Sequence, residues 1–295
     1  AFIPLLSSFA CAVPGIMATR SISDPRDRLT TIFVAPLMTC SARLPVYALL
    51  IAAFIPEYMV WGVFNLQGLV LFALYMAGIV SALMVSFVLK FFQKDKSQHM
   101  LLMELPSYRF PDVKSIWIGL LDRAKIFLKR VGGIIFALSI LLWFLCTFPQ
   151  PPEGATLPAI DYSLAGMLGH PMQPIFAPLG FNWQICIALI PAMAAREVVV
   201  AALGTVYALS ATDDDAISQG LASIISSDGR LGWSLATGLS LLVWFIYAPH
   251  CLATLATVKR ETGSWKTVSF MTAYLFGLAY LMSFLTYQIA SYYLG

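Results

Sequence analysis

The run from Leu69 to Leu89 holds 21 residues and no charge. At about 1.5 Å of rise per residue it is long enough to cross the roughly 30 Å apolar core of a bilayer. The rest of the chain agrees with that reading. Of 295 residues, 59% are hydrophobic and 11% charged, against about 25% charged in an ordinary globular domain. The mean hydropathy is +0.81. In lipid a helix satisfies its own backbone groups, so the composition predicts an all-α, polytopic membrane protein. The formal net charge of +3 is too small to indicate nucleic acid. Five cysteines (Cys11, Cys40, Cys146, Cys186 and Cys251) are odd in number, with no Cys-x-x-Cys pair. Neither a disulfide framework nor a zinc knuckle is indicated. No Gly-x-x-x-x-Gly-Lys-Ser/Thr, His-Glu-x-x-His or Gly-x-Ser-x-Gly string is present, so nothing points to an enzyme.

Other apolar stretches are interrupted. Ser8 to Arg20 is too apolar for a surface loop. Pro14 and Gly15 break it, and Cys11 and Met17 lie beside the break. Residues 1–18 read as a half-helix or as one arm of a re-entrant segment. Residues 29–56 are broken by Pro36, Arg43 and Pro45. Residues 182–209 are broken at Pro191 and hold Arg196 and Glu197 in their middle; residues 231–258 are broken at Pro249. Residues 132–148 and 267–295 are uninterrupted. Residues 149–181 read as a Pro-rich loop. Near 112–130, apolar residues at helical spacing alternate with Lys114, Arg123, Lys125, Lys129 and Arg130. That is an amphipathic helix on the membrane surface or packed on the protein's own cytoplasmic face.

Lys and Arg favour the cytoplasmic side. Placing residues 19–28, 90–130 and 259–266 there accounts for fifteen of the eighteen basic residues. Residues 182–209 would then enter and leave on the outer side, as a hairpin with its tip near Pro191 to Glu197. Two half-chains share an order of signals. One has Pro14, Met17 and Arg20, then Ala35-Pro36 and Cys40. The other has Pro191, Met193 and Arg196, then Ala248-Pro249 and Cys251. The charge topology makes them inverted repeats, a hallmark of secondary transporters. The expected division is 1–148, a first repeat including the amphipathic helix, and 149–295, a second repeat with the C-terminal helices.

Cys11, Cys40 and Cys251 each lie beside a Pro-containing break. Soft ligands of this kind suit a transported transition metal and discriminate against Mg²⁺ and Ca²⁺; buried packing is the competing reading. Glu197, ionisable within an apolar stretch, is a candidate hard ligand or gating partner. Arg43 is the better candidate to pair with it, because neighbouring Arg196 projects away on a helix. Met17, Met193 and His250 are secondary candidates. Cys146 and Cys186 read as packing residues, Glu104 as structural, and His99 and His170 belong to no ligand cluster.

Several strings carry a resemblance: Cys11-Ala-Val-Pro-Gly-Ile-Met-Ala-Thr-Arg20, Pro25-Arg-Asp-Arg-Leu-Thr-Thr31, Ala35-Pro-Leu-Met-Thr-Cys-Ser-Ala-Arg43, Met103-Glu-Leu-Pro106, Ala192-Met-Ala-Ala-Arg-Glu-Val-Val-Val200 and Ala248-Pro-His-Cys251. Together they closely resemble the membrane domain of FeoB-type ferrous iron transporters, over nearly the whole chain. The resemblance implies two gate repeats in a bacterial cytoplasmic (inner) membrane, with Fe²⁺ as transported substrate and no resident cofactor. It implies an N-terminal GTPase domain on the same full-length polypeptide and a small cytoplasmic accessory protein, and leaves a homo-oligomer open. The chain begins at Ala1, immediately before a motif, and reads as the C-terminal part of a longer polypeptide. Rival readings are a gate-fold carrier of another divalent metal or a nucleoside-like solute, and a non-transporting membrane assembly subunit.

Overall fold

A computed structural model describes residues 2–55, 58–60, 64–92, 112–149, 163–193, 199–200, 203, 234–249 and 251–294. The described chain is helical apart from a two-residue antiparallel ladder, β1 (Met59–Val60) with β2 (Phe64–Asn65). Among the described residues, four helical stretches are long and apolar enough to cross a membrane: Pro25–Phe54, Leu66–Phe91, Leu235–Thr262 and Trp265–Tyr293.

The chain opens with a helical hairpin, α1 (Phe2–Ser8) and α2 (Ala12–Ala18). The break falls at residues 9–11, earlier than Pro14-Gly15. Pro14 sits in the first turn of α2, where its missing N–H costs no intrahelical bond. Gly15 permits the hairpin: a Cβ there would lie 2.0 Å from Ser8 Oγ and 2.8 Å from the Pro4 carbonyl oxygen.

The first broken span begins with α3 (Pro25–Val34). Pro25 opens it, and the Asp24 side chain accepts a hydrogen bond from the Arg26 amide, a standard way to start a helix. The helix tightens into a 3₁₀ turn at Ala35–Leu37 and unwinds through Met38 to Cys40. It tightens again at Ser41–Arg43 and resumes as α4 (Leu44–Phe54). After α5 (Leu66–Phe92) comes α6 (Val113–Thr147), one continuous 35-residue helix about 52 Å long. It fuses the expected amphipathic helix with the span that follows. Gly132 and Gly133 weaken a helix without ending it.

Residues 163–179 correct the Pro-rich loop. They contain α7 (Leu164–Phe176), with Pro171 and Pro174 inside it, and a 3₁₀ turn at Ala177–Leu179. Proline costs backbone hydrogen bonds, yet apolar packing holds this helix: Phe176 meets the rings of Phe181 and Trp244. Next comes α8 (Trp183–Ala192). The arms 169–179 and 183–190 are bent by 105°, and the turn between them falls at Gly180. That residue adopts φ +78°, where a side chain is strained. This bend precedes the expected hairpin 182–209, whose tip near Pro191 to Glu197 falls mostly on residues 194–198, outside the described residues.

The second broken span is α9 (Leu235–Tyr247), interrupted at Ala248 and Pro249, and α10 (Leu252–Thr262). The chain ends in α11 (Trp265–Leu294). α9 is central, packing on α4, α5 and α11. Ser240 and Ser283 each donate a side-chain hydroxyl to the other's carbonyl, at 3.1 and 3.0 Å. Ser81 Oγ and the Tyr247 hydroxyl are 2.7 Å apart. Tyr274 donates its hydroxyl to the Phe33 carbonyl, tying α11 to α3.

Candidate ion pathway at two helix breaks

The two breaks share a narrow cleft. Pro36 of the first and Pro249 of the second line it, with Cys251, Ala12, Thr254, Leu255, Met271 and Leu275. The two broken helices pass it in opposite directions. α3 starts at the end where Arg28 bonds Glu261, and it reaches the cleft at Pro36. α9 reaches the cleft at Pro249, and α10 leaves it towards Glu261. The opposed directions expected of inverted halves are thus visible at the breaks themselves.

The three break cysteines hold matching positions. Cys11 is the N-cap of α2, Cys251 that of α10, and Cys40 that of the 3₁₀ turn at Ser41–Arg43. Each is extended, and none of their side chains caps its helix. All are half-buried thiols outside any disulfide. Cys251 is on the cleft wall, and Cys11 directly precedes Ala12, which is also on it. The Cys40 segment is tied to the Cys11 segment: the Ser41 amide donates to the Phe9 carbonyl at 3.1 Å, and the Ser41 hydroxyl to the Ala10 carbonyl at 2.9 Å. Among the described residues, no three His, Cys, Asp or Glu side chains cluster closely enough to hold a metal ion.

Glu197, Arg196, His250, Glu104 and His99 lie outside the described residues. Met17 is 40% exposed and is not on the cleft wall. Met193 is half-buried just after α8. The thioether on the cleft wall is that of Met271, fully buried in α11, which no pattern marked out. Thr254 was legible in principle, three residues after Cys251 on the same helical face. Cys186 is wholly buried in the apolar core, and His170 is exposed, its ring 5.1 Å from that of Trp183. The Cys146 side chain is outside the described set.

Arg43 serves its own break; Glu197, the expected carboxylate partner, lies outside the described residues. Its guanidinium is buried, 1% exposed. It donates to the carbonyls of Pro36 at 3.0 Å, Met38 at 3.4 Å and Leu37 at 3.5 Å. These are carbonyls that a broken helix leaves without amide partners. A cation at a helix C-terminus also meets the favourable end of the dipole. Arg43 therefore stabilises the break from within its own segment.

At the far end of α2 and α10, Arg20 forms a two-point pair with Glu261, Nη2 to Oε1 at 2.6 Å and Nε to Oε2 at 2.9 Å. The carboxylate raises the Arg20 pKa above its ordinary value, chiefly through that hydrogen bond. Arg28 Nη2 reaches the same carboxylate at 3.0 Å. Lys90 and Asp27 approach to 3.7 Å, and Lys259 lies 3.9 Å above the Trp265 ring. Parts of all three basic loops thus meet at one end of the molecule, as the charge topology requires.

Apolar helices broken at paired points around a shared cleft define a gate-type membrane domain, and the comparisons agree. A family model described as Gate, nucleoside recognition, matches residues 1–54 and 128–265. Another, described as the C terminus of ferrous iron transport protein B, matches residues 71–123. A protein named Fe(2+) transporter FeoB from Leptospira interrogans is 41% identical over 98% of this chain and 42% of its own length. One of that name from Staphylococcus aureus is 35% identical over 98% of this chain and 40% of its own. A Porphyromonas gingivalis protein, named as a fusion of Fe(2+) transport protein A with FeoB, is 36% identical over 98% of this chain and 37% of its own. No solved structure matches the chain. The chain belongs to the FeoB family and corresponds to its C-terminal membrane region; it spans about two-fifths of the length of these relatives.

Proposed function

We propose that the chain is the permease region of a ferrous iron uptake protein in the bacterial cytoplasmic membrane, and that Fe²⁺ crosses it at the cleft between the two helix breaks. One observation carries the reading: Pro36 and Pro249, from oppositely directed broken helices, converge on one cleft with the Cys251 thiol on its wall. Fe²⁺ accepts sulfur, imidazole and carboxylate ligands, and thiolates disfavour Mg²⁺ and Ca²⁺. Backbone carbonyls of broken helices serve cations in other transporters. Cys11, Cys40 and Cys251 would hand the ion along, with Met17, Met193 and His250 as secondary donors. Glu197 would compensate its charge in the apolar interior. Partial and changing coordination suits an ion that must also leave.

Residues 1–148 and 149–295 are the two repeats in this reading. A GTPase domain of the full-length polypeptide would control opening. The fusion named in the Porphyromonas relative supports a small accessory protein as a further partner. The test is Fe²⁺ uptake per folded molecule of full-length protein in liposomes. Cys11→Ser, Cys40→Ser and Cys251→Ser each lower it by about tenfold, the scale of one lost soft-ligand interaction of about 1.4 kcal/mol. Cys146→Ser and Cys186→Ser stay near wild type. Full transport by the Cys11, Cys40, Cys251 triple Ser variant refutes the thiol pathway.

A further inference from the structure

Two short helices, one from each half of the chain, run side by side away from the cleft. α2 starts beside it at Ala12 and α10 starts at Cys251, and the two pack together. Arg20 follows Cys11 by nine residues and Glu261 follows Cys251 by ten. The ends remote from the cleft are therefore level, and there the two halves are joined by charge.

The Glu261 side chain is only 2% exposed, although it lies at a helix end among basic loops. Both its oxygens are engaged by Arg20, and Arg28 adds a bond to the carboxylate and another to the Glu261 carbonyl at 3.2 Å. Of the nearby charges, Asp27 faces Lys90 and Lys259 covers the Trp265 ring, while Arg260 adds its positive charge to the field at the Glu261 carboxylate. A two-point guanidinium–carboxylate pair is directional as well as attractive. Two guanidiniums on one carboxylate also leave excess positive charge, which opposes a cation leaving the cleft by this route.

Building on the cleft as the ion's path, we propose that Arg20, Glu261 and Arg28 form the cytoplasmic gate of the pathway. Closed, the cluster clamps α2 to α10 and sets a cationic barrier beyond Cys251. Open, it releases the two helices and exposes the Glu261 carboxylate to the departing ion. Arg20 and Glu261 are gating residues here, acting through the separation of α2 from α10.

The test reads the gate without iron. In reconstituted full-length protein, a membrane-impermeant maleimide is applied from the side of the basic loops. Alkylation of Cys251 is followed by peptide mass spectrometry. Glu261→Gln and Arg20→Gln each raise the rate by about tenfold, as a weakened clamp shifts the two-state balance. The Arg20 side chain is half-exposed, so Arg20→Gln tests the gate should Glu261→Gln misfold. The charge exchange of Arg20→Glu with Glu261→Arg returns the rate towards wild type. Equal rates in wild type, Glu261→Gln and Arg20→Gln overturn the gate and leave the thiol pathway standing. Loss of Fe²⁺ uptake sensitivity to cysteine replacement removes the pathway reading, whatever the alkylation rates.

Discussion

Over their most apolar windows, 56% of Pro25–Phe54 and 59% of Leu235–Thr262 are buried inside the protein, against 17% of Leu66–Phe91 and 28% of Trp265–Tyr293. The first pair is broken at Pro36 and Pro249; the second pair is unbroken. An interrupted helix frees backbone donors and acceptors that lipid cannot satisfy. The breaks therefore occur where protein surrounds them. The unbroken helices take the outer positions, where Phe72, Phe87, Phe270 and Ile289 remain exposed. Mean hydropathy is 1.6 and 1.7 in the broken spans and 2.3 and 1.7 in the unbroken ones, so apolarity alone does not sort the four. What separates them is whether each must supply irregular backbone to the cleft.

The largest expected effect attacks the first break. Arg43→Met keeps most of the side-chain volume and removes the donors from the Pro36, Leu37 and Met38 carbonyls. It destabilises the fold by about 3 kcal/mol, the scale of losing a charged donor and leaving its buried acceptors unpaired. Reversible unfolding of purified protein in detergent measures this. A loss under about 0.5 kcal/mol would mean that water or lipid serves these carbonyls equally well. Smaller effects of opposite sign separate the two kinds of span. A Cβ at Gly238, in broken-span helix α9, would lie 2.5 Å from the Phe54 ring of α4. Gly238→Ala costs about 1–3 kcal/mol by overpacking. At Gly277 in unbroken α11 a Cβ meets nothing within 4 Å among the described residues, and Gly277→Ala gains about 0.5–1 kcal/mol by favouring the helix. The same unfolding assay checks both, and equal signs would erase the distinction.

The spans themselves were legible because apolar length leaves few alternatives. The breaks were legible because Pro36 and Pro249 interrupt otherwise helical runs. Pro14, Pro171 and Pro174 misled for a local reason. A proline's cost depends on its position in the helical turn and on how firmly the helix is packed, neither of which residue type reveals. Arg43 stood out as an intramembrane charge, but nothing in the sequence marked the backbone carbonyls five to seven residues earlier as acceptors for it. Such partners appear only once the helix has unwound. The pairing of Arg20 with Glu261 joins residues 241 apart in sequence, and no periodicity encodes it. Met271 reached the cleft through the packing of α11 and had no motif around it.

The proposed pathway puts Fe²⁺ in the cleft where the two breaks meet. Its most direct test is metal protection of the break thiols. Full-length protein is treated anaerobically with a small maleimide, with and without saturating Fe²⁺, and alkylation of each cysteine is followed by mass spectrometry. Fe²⁺ bound there slows modification of Cys251 and Cys11 by about tenfold or more, because a coordinated sulfur is not a free nucleophile. Mg²⁺ leaves the rates unchanged. Identical Cys251 alkylation with and without Fe²⁺, in a preparation that still transports iron, would contradict it.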